Sequence, residues 1–469
     1  MDDYGSALAI DVLTVISCTV LLARFGDIRF SHPATSYFIF HVHTVTSRLI
    51  GLSNGAVALY GGSGWFEAVM PEEIVRASLY ADLAFWSTTA VWLFVKGTSG
   101  AAPPPTNKYY LKLDPRILRP VLAVAFVMGI IGIRVATQVP GMSNYEGFDP
   151  SSEWSSSSYI LILPSWFGLA VLGHIYLYGF GRVTTVLLAV YLGLMSLQGG
   201  MRFRVIIGLL LAVQIWVERR HRRWPSRSLV FGLTAAAFLF FPMKNVGRMI
   251  QDGDSLSLIS TTIADSATDI REGHADDQLF LDEFASGLTL LDRQGKKYWG
   301  SMYLPLLTLP IPRALWPGKP VLAGYMMDIS STTRPMAVSG MIVTYIGEAY
   351  ANFGMAGVIL VPPFLALFLV LFCRKAYAAP ADSVLRFAYV LLSVNLIQVY
   401  RDGLVSLFMF TFVNMMPLMV IVLMHFAKSS IRKRRHLGIV KDASPSVASS
   451  TNMQLDIIAP STGELGPRS

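Results

Sequence analysis

The 469-residue chain is 53% hydrophobic and only 14% charged, with a mean hydropathy of +0.51. Soluble domains carry about 25% charged residues, so this chain lacks the polar surface to face water on all sides and reads as a bilayer protein. Its formal charge of +8 requires no nucleic acid, because basic loops beside a membrane account for it; Cys18 and Cys373, both within or at the end of apolar runs, give neither a disulfide framework nor a zinc site.

Apolar windows long enough for a ~30 Å hydrocarbon core lie at 5–23, 35–53, 78–96, 119–138, 158–178, 182–198, 203–218, 228–243, 355–373, 383–400 and 403–426. They predict an all-α, polytopic membrane protein with about eleven transmembrane helices. The first window does not read as a cleavable signal peptide, because Asp2 and Asp3 stand where a basic region would precede it. The organisation that follows is 1–243, the first eight spans; 244–343, a large extracytoplasmic loop containing short helices; 344–427, the last three spans; and 428–469, a basic and then disordered cytoplasmic tail. The basic stretches Lys96 to Arg119, Arg219 to Arg227, Arg374 with Lys375, and Lys428 to Arg435 fall on one side if the spans alternate. The positive-inside rule makes that side the cytoplasm, with the N-terminus outside and the C-terminus inside an inner, cytoplasmic membrane.

In chain order, His41 and His43 of HVH project from different sides of a helix and are poor joint ligands, so they read as packing histidines. The linker AAPPPTNKYY is a cytoplasmic connection. The outer turn LQGGMRFR holds Arg202 and Arg204 at a helix N-terminus, where the dipole and the positive-inside rule both disfavour cations. An anion held by the two guanidinium groups and by the backbone N–H groups near Gly199 and Gly200 removes both costs; snorkelling to lipid phosphate is the other reading.

Within the outer loop, Asp252 and Asp254 of DGD form an Asp-x-Asp pattern without a nucleotide-binding context. LISTTIADSATDI and LFLDEFASGLTLLDR have helical spacing and read as short surface or interfacial helices. The prolines of YLPLLTLPIPRALWPGKP exclude a continuous helix and predict a rigid strap that presents Arg313. Beyond it, Thr344, Glu348 and Asn352 share one helical face, opposite Ile342, Ile346, Ala349 and Phe353, and Glu348 is expected to point into a polar cavity. Glu348 is the best single carboxylate for accepting a proton, with a structural hydrogen bond or salt bridge as the alternative. In the turn QVYRDGL, Arg401 stands beside Asp402 as a local pair or as a second anion contact.

The residues Pro312, Arg313, Trp316, Pro317, Lys319 and Pro320, followed by Gly347, Glu348, Tyr350, Asn352, Phe353, Gly354 and Gly357, resemble the oligosaccharide repeat-unit polymerases of the Wzy type, the O-antigen and capsule polymerase family. The resemblance covers about fifty residues closely, and span count, the outer loop and the GGMRFR turn extend it. It implies a glycosyltransferase of GT-C-like architecture that moves the growing glycan from polyprenyl pyrophosphate to a new lipid-linked repeat unit, without cofactor or metal. The implied partners are a polyprenyl-pyrophosphate-linked oligosaccharide, membrane lipids, a chain-length regulator and a flippase. On the matching positions, Arg202 and Arg204 would meet the pyrophosphate and Glu348 the acceptor hydroxyl; Arg313, Arg401, Lys319, Trp316, Tyr350 and Asn352 would contact substrate. A ligase that moves the finished polymer to another acceptor shares this chemistry. A lipid-linked glycan flippase or other transporter is the non-enzyme alternative.

Overall fold

The computed structural model describes residues 3–26, 28–56, 69–97, 110–138, 163–197, 202–232, 279–308, 322–329, 344–407 and 415–424, with the single positions 58, 261, 264, 311, 315, 316, 318, 320 and 411. Among these the regular structure is helical. The helices are α1 (Asp3–Phe25), α2 (Pro33–His41), a π-helical turn (Val42–Thr46), α3 (Ser47–Ser53), α4 (Pro71–Gly97), α5 (Pro115–Gln138), α6 (Leu163–Tyr178), α7 (Arg182–Leu197), α8 (Arg202–Arg219), α9 (Phe280–Gln294), a 3₁₀ turn (Ser301–Tyr303), α10 (Leu304–Thr308), α11 (Leu322–Ile329), α12 (Thr344–Phe353), α13 (Met355–Ala378), α14 (Val384–Asp402) and α15 (Leu404–Leu407).

Several starts follow from local chemistry. Pro33, Pro71 and Pro115 occupy first helical positions, where a missing N–H costs nothing and the fixed φ already suits the helix. Ser383 caps α14 by accepting from the Arg386 N–H at 3.1 Å, as short polar side chains do at N-caps.

Among the described residues, four helical segments are long and apolar enough to cross a membrane: Asp3–Phe25, Pro115–Gly132, Met355–Ala378 and Val384–Asp402. This supports a membrane protein and falls short of the eleven expected spans. The window at 35–53 is divided by the π turn, and Asp82, Ser87, Thr88 and Thr89 dilute the apolar run of α4. Most of the window at 228–243, and residues 408–410, 412–414 and 425–426 of the window at 403–426, lie outside the described residues.

The described parts of the basic stretches come together, while Lys428 to Arg435 lies outside the described residues. The Phe30 N–H donates to the Arg223 carbonyl at 2.9 Å and the Leu113 N–H to that of Asp382 at 2.7 Å. Arg386 pairs with Glu218 at 2.9 Å, and Arg219 donates to the Tyr176 carbonyl at 2.6 Å. Loops separated by up to 350 residues in sequence therefore share one edge of the bundle, and α8 and α14 run antiparallel from it, touching again where Gln214 donates to Ser393 at 2.7 Å.

Two large apolar clusters make the core, one from α1 to α4 with α9, α12 and α13, the other from α5 to α8. α14 contributes to both, through Leu396, Val399 and Tyr400 on one side and Phe387, Val390 and Val394 on the other. Its apolar window is 72% buried against 28% for α1, so α14 is the interior helix and α1 a peripheral one.

α9 departs from expectation. Its apolar stripe suits a surface or interfacial helix, yet Leu281, Phe284, Ala285 and Leu288 are buried in the first cluster and Phe280 is buried as well. Asp282 explains the difference: it accepts from Arg48 of α3 at 2.8 and 2.7 Å, a two-pronged pair with both side chains fully enclosed. Losing one member of such a pair strands a charge in low dielectric, at about 3–5 kcal/mol. The exposed Arg76–Asp292 pair, at 2.6 Å, is worth no more than about 1 kcal/mol. Asp282→Asn is thus expected to lower the thermal midpoint in detergent well below that of Asp292→Asn; equal midpoints would refute this account of α9 burial.

Candidate functional site

The turn from α12 into α13 at Gly354 sets the position of Glu348. Gly357 has no room for a Cβ, which would meet the Ala349 carbonyl of α12, so the two helices sit in backbone contact. α12 starts at Thr344 with a φ of 57°, a conformation that β-branched residues rarely adopt. The Thr344 hydroxyl accepts from the Gly347 N–H at 3.2 Å, which helps to hold this strained start one turn from Glu348.

Glu348 is buried, and one carboxylate oxygen accepts from the Leu404 N–H at 2.6 Å. The chain passes under it at Gly403, where φ is +94° and any Cβ would collide with the carboxyl group. Only glycine allows that approach. The other oxygen, Oε1, has no hydrogen-bond partner, and neither does the buried hydroxyl of Tyr303. Burial pushes the Tyr303 phenol upward, and the nearby Glu348 carboxylate adds to the rise.

Around this pair, Asn352 spans two elements: its amide donates to the Glu348 carbonyl at 2.8 Å and its oxygen accepts from the Met302 N–H at 3.3 Å. Backbone bonds from Tyr298 to the Ala351 carbonyl and from Trp299 to that of Asn352, at 3.0 and 2.9 Å, hold the same segment. On the other side Arg401 donates to Asp402 at 2.6 Å and lies 4.9 Å over the Phe280 ring. Gln398 donates to the second Asp402 oxygen, and its own amide oxygen is buried without a partner.

The result is a small enclosed group of oxygens with one cation beside it. Burial raises the Glu348 carboxyl to about 8, the charge of Asp402 adds to the rise, and the N–H groups of Leu404 and Val405 oppose it. A carboxyl in that range can hold or take a proton near neutral pH.

No protein-family model, curated protein or solved structure matches the chain. The site therefore stands on its own geometry.

Of the residues expected from sequence, Glu348, Asn352 and Arg401 come together. Tyr350 does not join them: it faces away, donating to Asp292 and packing on Tyr80 at 5.8 Å between ring centres. Trp316 is described and exposed, while Arg313 and Lys319 lie outside the described residues, as do Asp252 and Asp254. Arg202 and Arg204 occupy the first turn of α8; their side chains are outside the described set. Their backbone is nevertheless placed by the antiparallel α8–α14 contact. Arg204 is ten residues before Gln214 and Asp402 nine after Ser393, about 15 Å in the same direction at 1.5 Å per residue. The α8 turn is thus level with Arg401 and Asp402.

Sequence reasoning missed a second polar group. Asp11 of α1, His41 of α2 and Asp82 of α4 are all buried, with one ligand-capable atom from each within 4.8 Å of the others. His41 Nε2 is 2.8 Å from Asp11 Oδ1 and 3.4 Å from Asp82 Oδ1. The available signal was three ionisable residues inside apolar windows, which in membrane proteins mark function more often than packing.

The raised carboxyl of Glu348 carries a pH dependence. Its ordinary value is 4.5 and its folded value about 8, so folding takes up a proton between those limits. The stability it contributes is complete below about 4.5 and is lost as pH rises toward 8. Glu348→Gln, neutral at every pH and still able to accept from Leu404, is expected to lose less thermal stability than the parent between pH 5 and 8.5. Parallel curves for the two proteins would show that the carboxyl does not titrate there.

Proposed function

We propose that this chain is a membrane glycosyltransferase that polymerises lipid-linked oligosaccharide repeat units on the outer face of the inner, cytoplasmic membrane. The observation that carries the reading is the buried Glu348 carboxylate, with Oε1 free to accept and the Tyr303 hydroxyl beside it, at the end of α14 remote from the basic edge. The positive-inside rule assigns the basic edge to the cytoplasm, which puts Glu348 outside, away from nucleotide sugars. The four helices long and apolar enough to cross a membrane, taken with the remaining apolar sequence windows, support this reading of a polytopic, GT-C-like architecture of about eleven spans with the N-terminus outside.

The reaction needs an acceptor hydroxyl made nucleophilic, an oxocarbenium-like sugar stabilised, and growing charge on the departing polyprenyl pyrophosphate neutralised. Glu348, with its carboxyl raised into the neutral range, takes the hydroxyl proton. Arg401 is held by Asp402 at the rim, and the arginines of the α8 turn, level with it, offer fixed forks to phosphate oxygens. Asn352 uses both ends of its amide within the protein and acts by positioning Glu348. Arg313, Lys319 and Trp316 belong to the proline-braced strap read from the sequence, which contributes substrate contacts; Tyr350, turned toward Asp292, drops out of this set. A chain-length regulator and a flippase complete the expected partners.

A strain lacking the protein is expected to attach single repeat units normally and to make no polymer. Absence of any attached unit would point instead to a ligase, and accumulation on the inner leaflet to a flippase. Arg202→Ala, Arg204→Ala and Glu348→Gln are each expected to cut polymer at least about a hundredfold, the scale of losing one charge-stabilising or proton-accepting group, at unchanged membrane abundance. Full-length polymer from these variants would reject the assignment.

A further inference from the structure

We propose that Asp11, His41 and Asp82 bind one divalent transition-metal ion of the zinc and manganese class, tying α1, α2 and α4 together inside the bundle. The inference is independent of the glycosyltransferase reading. It begins from an imbalance: two carboxylates and an imidazole from three helices converge in a space closed to water.

Hydrogen bonding satisfies only part of the group. The His41–Asp11 contact at 2.8 Å uses one oxygen of Asp11 and leaves Oδ2 without a partner. Neither oxygen of Asp82 has a hydrogen-bond partner, although Oδ1 is aimed at His41 Nε2 from 3.4 Å. A single shared proton serves the His41–Asp11 side and leaves the Asp82 carboxylate facing another carboxylate in low dielectric, an arrangement buried charges avoid. One divalent ion meets all three ligands and cancels both negative charges.

The donor set and spacing suit such an ion. Imidazole nitrogen favours zinc and its neighbours, carboxylate oxygen extends the range to manganese, and the absence of sulfur argues against softer ions. Bonds of about 2.0–2.2 Å in tetrahedral array separate ligand atoms by roughly 3.3–3.6 Å. The His41–Asp82 distance already lies in that range, and the shorter His41–Asp11 distance opens when both atoms turn lone pairs onto the ion. His41 is followed at once by the π turn Val42–Thr46, a local geometry frequent at functional sites. His41 Nδ1 has no hydrogen-bond partner, so the ring lacks the outer support that tightens many zinc sites. The ion is therefore held loosely enough for a strong chelator to remove it.

The test is metal content. Protein without a polyhistidine tag, purified in detergent from cells grown with added Zn²⁺ or Mn²⁺, is expected to carry about one ion per chain. Asp82→Asn and His41→Gln are expected to lose it by more than tenfold, since outer-sphere changes alone weaken sites by about 10–100-fold. Wild-type protein free of both metals, or an unchanged stoichiometry in Asp82→Asn, would overturn the proposal. Should the variants fail to fold, thermal unfolding of the wild type with and without EDTA decides: a lower midpoint with EDTA supports the site, and identical midpoints reject it.

Discussion

A bundle this apolar must satisfy its buried polar groups from within the chain, since neither water nor lipid tails can do so. The Arg48–Asp282 pair is the main instance. It lies between α3, inside the N-terminal half, and α9, from the segment read as an outer loop, so part of that loop is core. With α9 in place, α12 packs on it, the segment from Tyr298 to Tyr303 docks on α12, and the polar group around Glu348 acquires its wall. The site is downstream of one ion pair.

The same rule explains the backbone at Glu348. A carboxylate enclosed by protein needs N–H donors, and the start of α15 supplies them because Gly403 lets the chain pass beneath the side chain. The arrangement is a structural cap with one oxygen left over. That surplus oxygen, the Tyr303 hydroxyl and the Arg401–Asp402 pair give the region its chemical capacity. Capping and proton transfer are compatible roles for Glu348, because the capped oxygen and the open one are different atoms.

How far the sequence could be read depended on the range of the forces involved. α1, α13 and α14 were visible because length and apolar content are local properties, and α12 because its spacing is regular. The burial of α9 was not visible: an amphipathic stripe does not say whether it meets lipid or protein, and Asp282 finds its partner 234 residues away. Tyr350 looked like a neighbour of Glu348, yet two residues along a helix face opposite directions, and Tyr350 serves Asp292 instead. His41 was weighed against adjacent His43, whereas its partners are Asp11, thirty residues before it, and Asp82 on another helix.

The sequence by itself determined a helical membrane protein, the gathering of basic loops on one side, and Glu348 as the carboxylate to examine. Hydropathy, charge bias and helical period suffice for these because each acts over one span or one loop. Tertiary structure alone decided that Arg48 pairs with Asp282, that Glu348 caps Leu404, and that Asp11, His41 and Asp82 meet. Those outcomes depend on contacts between helices far apart in the chain, and desolvation makes their energetics depend on which group ends beside which.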